Sequence, residues 1–361
     1  EALAWSSRAS SQPSTYGRKP DHGVRAPRLR ALLAASLRPM DELETTACVR
    51  HAYELVGDEV GFFMAGNRQL SARDIAAFAS SGSDMQYGEV LPAGMERIAA
   101  ALDVARCARL CELGSGTGKQ ALYVFLRHAG LVDVLAVELS RDRCDACRRA
   151  WRRLAATRPG FDFDESRWDA EATFTLRRGG RKLRCHAGDL LDDRWRGDVA
   201  AAGVLVLQTC FPPSIHAALC ERVLLYAADG CRVVCYHPME FLWRAAAPCP
   251  YSPLPCTTRG DTYPTSWSTG KGYAFSLYVR DGLGGVKSAA LEAEDPASPF
   301  KRDDVVWTRF GFWPIEGVGE DEWDRGVVLR GRLATGGGCV VFYEETGEVD
   351  YDVPCANIKA R

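Results

Sequence analysis

The stretch Cys111-Glu-Leu-Gly-Ser-Gly-Thr-Gly-Lys119 constrains this chain more than any other. An apolar run, Arg109 to Leu113, enters it and a helical pattern, Gln120 to Ala129, leaves it, so three closely spaced glycines must carry a sharp strand-to-helix turn. A triphosphate loop needs Gly-x-x-x-x-Gly-Lys-Ser/Thr. Counting back from Gly118-Lys119, Leu113 stands where the first glycine belongs and Gln120 where the hydroxyl belongs, so that spelling fails twice. A dinucleotide fingerprint, Gly-x-Gly-x-x-Gly, fails once, because its third glycine arrives a residue early at Gly118. What remains is Glu112-x-Gly114-x-Gly116-x-Gly118, then a second apolar strand, "VLAVE", ending in Glu138. An acid about 20 residues beyond such glycines is placed to hydrogen-bond a ribose diol. A nucleoside fits this pattern better than a pyrophosphate, and Lys119 reads as an ordinary first-turn helix residue.

The same alternation continues downstream. "RKLRCHA" is a short strand followed by Asp189; "DVAAAGVLVLQTCF" reads as the central strand; a helix and Gly230 precede "CRVVCYHP"; and "SWSTGKGYAFSLYVR" reads as a closing hairpin. Strands and helices in this order predict a doubly wound α/β sheet over residues 38–285. Residues 38–84 form its helical preface, with Leu43, Ala47, Tyr53, Val56 and Val60 at helical spacing and Ser71-Ala-Arg-Asp74 as a capping box. A further helix is expected from Met95 to Leu102. Residues 1–37 are rich in Ser, Pro and Arg and are expected to be a disordered basic arm. Residues 286–303 read as a linker, and 304–361 alternate short strands with tight turns, Thr346-Gly347 among them, as a small all-β barrel would.

Across 361 residues the formal net charge is only −2, which excludes a polycation built to coat nucleic acid or an anionic membrane. No apolar run reaches membrane-spanning length, and the 14 cysteines are scattered, so a reduced, intracellular protein is expected. Cys144-Asp-Ala-Cys147 lacks a second pair at finger spacing, and Cys231 and Cys235 flank a strand-like run, so no metal site is expected.

The acid-x-Gly-x-Gly-x-Gly spelling resembles the first motif of class I S-adenosylmethionine-dependent methyltransferases. That resemblance implies S-adenosyl-L-methionine as cofactor, with Gly114, Gly116 and Gly118 along its methionine portion and Glu138 on its ribose. Glu112, Ser115, Gln120, Asp189 and Leu190 complete the implied cofactor set, Asp189 at the adenine edge. Tyr87-Gly88-Glu89, just upstream of the helix leading into the glycine strand, narrows the resemblance. With the strand-Glu and the Phe211-Pro-Pro segment, residues 85–237 resemble the disruptor-of-telomeric-silencing (DOT) family of histone lysine methyltransferases. In that family the Tyr-Gly-Glu loop folds over the methionine end, so Tyr87 and Glu89 inherit this role by position. The family usually has asparagine and aromatic residues after its central strand, where this chain has Leu207, Gln208, Thr209, Cys210 and Phe211. Tyr87, Gln208, Thr209 and Phe211 are the expected channel residues, acting by positioning and by desolvating a target ammonium.

"EWDRGVV", "VVFYEETGEVDYDVP" and "NIKAR" resemble Tudor-like modules, which implies a barrel whose Trp307, Trp323, Tyr343 and Tyr351 would wall a cage for methylated side chains. Arg141, Arg143, Arg148, Arg149, Arg152 and Arg153 on one helix, and the run Arg177–Arg184, are either a nucleosomal phosphate surface or a solvated face balanced by "DFDES". The function expected is methyl transfer to a histone lysine in the nucleus. The alternatives are a methyltransferase acting on another protein or RNA, and a non-catalytic chromatin-binding module.

Overall fold

The computed structural model describes residues 39–54, 70–83, 85, 87–245, 248–254, 262–268, 272–282, 297–308, 324–332, 338–343 and 349–360. The basic arm, Val56, Val60, Trp323 and the Thr346-Gly347 turn lie outside these residues. So does the side chain of Tyr351, although its backbone belongs to a strand.

Helix α1 (Glu42–Ala52) is capped by Asp41 and buries Cys48, Val49 and Ala52, with Tyr53 just beyond its end. Leu43 and Ala47 do not join that face: both are exposed, Leu43 by 83%, and Thr45 is buried in their place. Helix α2 (Ala72–Ser81) starts at Ser71, whose hydroxyl accepts from the Asp74 amide, and stops at Gly82. Helix α3 (Pro92–Ala101) begins at a proline, which suits a first turn whose amides have no helical partner.

From there the chain alternates. Strand β1 (Arg109–Leu113) leads through the glycines to α4 (Lys119–Arg127), then β2 (Asp133–Glu138) and α5 (Arg141–Thr157). Next come β3 (Phe161–Asp164), α6 (Trp168–Glu171), β4 (Thr173–Arg178), β5 (Arg181–Ala187), α7 (Arg196–Ala201) and β6 (Val204–Leu207). Helix α8 (Pro213–Arg222), β7 (Arg232–Cys235), α9 (Met239–Leu242), β8 (Tyr251–Pro253) and β9 (Ser276–Arg280) complete a nine-stranded sheet. Its order is β3-β4-β5-β2-β1-β6-β7-β9-β8, and β5 through β7 are parallel. Successive residues of β1 and β2 feed opposite cores: Leu110, Val134 and Ala136 pack on one face of the sheet, Cys111, Leu135 and Val137 on the other. Both faces are covered, which is why these strands read as unbroken apolar runs. From β1 the chain winds outward through β2 to β5, then returns to place β6 on β1's other side. The carboxyl ends of β1 and β6 therefore flank the switch point where open α/β sheets hold ligands.

This is the expected doubly wound sheet, with three differences. The long central run is shorter, because Arg196–Ala201 is helical and only Val204–Leu207 is strand. The closing hairpin is built differently: β9 pairs with β8 and with β7, while the described residues 266–268 and 272–273 carry no strand, Tyr273 making only an isolated bridge to Tyr263. Strands β3 and β4 extend the sheet beyond β5, an antiparallel addition that the sequence reading did not separate from the basic run.

The basic clusters are largely engaged within the protein. Arg148 and Arg152 share Glu165, Arg153 meets Glu54 at 2.8 Å, and Arg143 lies buried against Glu138. In the second run Arg181 donates to the carbonyls of Phe125 and His128 at the end of α4, and Arg184 pairs with Asp133 and Asp198. Arg143 is thus buried, whereas Arg152, Arg177 and Lys182 keep about half of their side chains in solvent beside their acidic partners.

Strands β10 (Val305–Thr308), β11 (Asp324–Arg330), β12 (Cys339–Tyr343), β13 (Val349–Val353) and β14 (Ile358–Ala360) form an antiparallel sheet ordered β13-β12-β11-β10-β14. It is a meander whose last strand returns to the first, and β13 and β14 stand at its two edges. Phe300 packs with Val306, Val328, Val341 and Ile358, so this core begins inside the expected linker. Tyr343 belongs to the same core and is 2% exposed, so it packs the sheet instead of walling an open cage. Trp307, half-buried on β10, is the one proposed wall whose side chain is described and not enclosed. On the other face Leu329, Val340 and Phe342 pack on Phe241, next to Cys210. Among the described residues no helix is long and apolar enough to cross a membrane.

Candidate cofactor and transfer site

The glycine turn is held from below and clamped from above. The amides of Gly114 and Ser115 both donate to the Val137 carbonyl, at 2.8 and 2.9 Å, which ties the turn to the end of β2. Gly116 donates to Glu138 Oε2 at 2.7 Å, and Ser140 donates to Oε1 at 2.9 Å. Glu138 is thereby fixed at the strand end with lone pairs to spare for a diol. Gly116 has φ +55°, and a Cβ there would stand 2.6 Å from the Tyr87 ring, so both backbone and neighbour require glycine. Gly118 is the exception to the expected lining: it caps α4 and packs on Cys147, away from the cavity.

The tripeptide Tyr87-Gly88-Glu89 closes over this turn, each residue by a different contact. Tyr87 Oη is 2.7 Å from Thr117 Oγ1 and donates to Glu89. Gly88 lies beneath Trp267, whose ring a Cβ would meet at 2.2 Å. Glu89 forms a buried ion pair with Lys119, its Oε2 accepting from Nζ at 2.5 Å. The loop is also tied to the segment bearing Trp267: Ser266 donates its amide to the Glu89 carbonyl and its hydroxyl accepts from the Glu89 amide, at 2.8 and 2.9 Å. Lys119 is thus a buried counter-charge, a correction to its reading as an ordinary helix residue. Sequence spacing located it in the first turn but gave no sign of an acid 30 residues away.

A cavity of about 360 Å³ opens at the switch point, within the range of small-ligand sites. Tyr87, Glu89, Glu112, Gly114, Ser115, Gly116, Gln120, Glu138, Asp189, Leu190, Gln208, Thr209 and Phe211 all border it. The sequence reading missed Lys119, Arg143, Tyr236 and Trp267, which border it too. Tyr236 follows β7 at the same carboxyl edge as the other groups, a positional signal that was available; Trp267 had none.

Burial pushes Glu112 up to about 8, opposed by a hydrogen bond from the Ala121 amide and reinforced by Glu138. Its Oε2 is enclosed and has no hydrogen-bond partner within the protein. Ser115 Oγ and Gln208 Nε2 are in the same condition. Orphaned polar atoms are costly unless a ligand meets them. Their arrangement fits S-adenosylmethionine: Glu112 and Ser115 would meet its polar amino-acid end, Glu138 its ribose, and Asp189 and Leu190 its base. Asp189 Oδ1 accepts from the Leu191 amide at 2.8 Å, which shapes the turn after β5.

Beyond that end the wall turns aromatic. Tyr236 stacks on Tyr273 with ring centroids 4.4 Å apart, Trp267 stands 5.8 Å from Tyr273, and buried Phe211 also lines the cavity. Thr209 Oγ1 lies 3.4 Å from the Gly114 carbonyl, bracing the end of β6 against the glycine turn. Burial draws His237 down to about 3, so this imidazole behind Tyr236 is neutral.

No family model and no curated protein sequence matches this chain. Among solved structures it is similar to a methyltransferase from Geobacter sulfurreducens, at 12% identity and TM-score 0.35, over 70% of this chain and 97% of that one. It is also similar to human N-acetylserotonin methyltransferase in complex with SAM, at 14% identity and TM-score 0.26, over 59% and 49% of the two chains. Overlaps this loose carry no functional weight; the strand order and the chemistry of the cavity do.

Proposed function

We propose that this chain is an S-adenosylmethionine-dependent methyltransferase that modifies a lysine amine of a protein. The enclosed, unpartnered Glu112 oxygen beside the Glu138-anchored glycine turn carries the cofactor reading. When bound, the cofactor supplies a sulfonium methyl that a neutral amine takes up with its lone pair, the electrons of the broken carbon–sulfur bond staying on sulfur. The chain's own residues orient and desolvate. Tyr87 and Trp267 border the site, and Tyr236, Phe211 and Trp267 offer it an aromatic lining against which desolvation would lower the target ammonium from its ordinary value of about 10.4. Gln208 presents an unpartnered amide donor at the same wall.

The Tyr-Gly-Glu resemblance supports a nucleosomal histone as substrate and hence a nuclear site of action. For the small sheet we propose the Tudor-like assignment, supported by its resemblance in sequence and its antiparallel strand order, with half-buried Trp307 as the residue that would meet a methylated side chain. The segment Gln208-Thr209-Cys210-Phe211, where the DOT family has asparagine, favours one alternative, a non-histone protein. Calorimetric titration with S-adenosylmethionine tests the cofactor, and absence of binding sinks the reading. Tritium transfer to nucleosomes, free histones and RNA then tests the acceptor: label on nucleosomal lysine is expected, and label on RNA alone overturns it.

A further inference from the structure

Among the described residues, six ionisable side chains border the cavity: Glu89, Glu112, Glu138, Asp189, Lys119 and Arg143. The balance is acidic, yet the amino-acid end of the proposed cofactor carries a carboxylate as well as an ammonium. A carboxylate entering such a site requires a cation. Arg143 is committed elsewhere: it donates to the Met85 carbonyl at 2.5 Å, lies 3.6 Å from Glu138, and stacks over the rings of Phe78 and Tyr87. Its partner Glu138 places it at the ribose end. Lys119 stands at the other end, on the first residue of α4, 3% exposed and 5.6 Å above the Tyr53 ring.

We infer that Lys119 recognises the α-carboxylate of the ligand, with Glu89 and Glu112 flanking its α-ammonium. This rests on the proposed cofactor. In the ligand-free chain burial outweighs the opposing Glu89 carboxylate and leaves the Lys119 ammonium lowered to about 8. A zwitterion brings one charge of each sign, so the Lys119–Glu89 pair gains partners without stranding either member. The Tyr-Gly-Glu loop reaches Lys119 through Glu89, so the same contact that reads the carboxylate sets the loop that covers the site.

S-adenosylmethionine and decarboxylated S-adenosylmethionine differ by the carboxylate alone, and methylthioadenosine lacks the whole amino-acid end. Calorimetry on the full chain is expected to show the wild type preferring S-adenosylmethionine over its decarboxylated form by about 10- to 100-fold, the worth of one charge-assisted hydrogen bond. Lys119→Met should erase that preference while methylthioadenosine binding is retained. Because that substitution leaves Glu89 buried without its main partner, the double variant Glu89→Gln/Lys119→Met is measured beside it, with methylthioadenosine binding as the check that both are folded. A variant that still prefers S-adenosylmethionine as the wild type does overturns the inference, as does a wild type indifferent to the carboxylate. Failure of the wild type to bind all three ligands is a different result and removes the cofactor reading as well.

Discussion

At the scale of single residues, two side chains and a missing one set the properties of the site. Glu112 titrates near 8 in the folded chain against an ordinary 4.5. Between those values the folded state holds a proton that the unfolded chain has lost, so stability falls as pH rises through that window, by about 1.4 kcal/mol per unit at most. Glu112→Gln is expected to flatten this slope, measured as the urea midpoint between pH 5 and pH 8. A cationic ligand favours the ionised carboxylate, so cofactor binding at pH 7 should release a proton, read as a binding heat that changes with the buffer. A buffer-independent heat would rule out the ionised partner. At Gly116 the turn tolerates no side chain: Gly116→Ala places a Cβ against Tyr87 at a positive φ and is expected to cost about 1–3 kcal/mol. The same change should abolish cofactor binding, because it displaces Tyr87; retained affinity would contradict the clamp.

At the scale of elements, two helices that begin far apart in sequence cap one another. Asp74 of α2 is 1% exposed and accepts from the Ser140 hydroxyl and the Asp142 amide, at 2.6 and 2.9 Å, where α5 begins. Asp142 in turn accepts from the Ser71 amide at 2.7 Å, where α2 begins. Burial alone would raise the Asp74 carboxyl, but the bonds from Ser140, Asp142 and Arg73 hold it below its usual range. The sequence predicted the Ser71 cap correctly; it gave Asp74 a return bond to Ser71, and the carboxylate instead serves α5. Because Ser140 also donates to Glu138, this joint fixes the proposed ribose acid. Asp74→Ala should destabilise the fold by about 1–3 kcal/mol and weaken nucleoside binding, measured by chemical denaturation and by methylthioadenosine titration. Stability loss with unchanged nucleoside affinity would show that the joint does not position Glu138.

At the scale of the whole molecule, the C-terminal sheet is part of the wall behind the site. Phe342 lies 5.8 Å from the His237 ring, which in turn sits 4.8 Å from Tyr236, and Arg244 pairs with Asp303 at 2.9 Å. Phe342→Ala is expected to cost about 3–5 kcal/mol. It should also open Cys210, which borders both the cavity and this junction, to faster labelling by a thiol reagent. An unchanged labelling rate would mean that the two sheets do not share a core.

The glycine turn, the acids Glu112 and Glu138 near the ends of their strands, and the winding of the main sheet were legible in the order of the residues. Each of these is written in neighbouring residues: spacing sets the turn, and an unbroken apolar run sets a strand covered on both faces. Tertiary structure alone decided which partner each polar group received. Lys119 became the buried partner of Glu89, Gly88 had to make room for Trp267, Tyr343 went into a core, and of the arginines of α5 Arg143 was buried against Glu138 while Arg148 and Arg152 met Glu165 at the surface. The reason is physical. A local pattern fixes where a side chain points, whereas its partner is set by which distant segments fold against it, and short-range spacing carries no information about those.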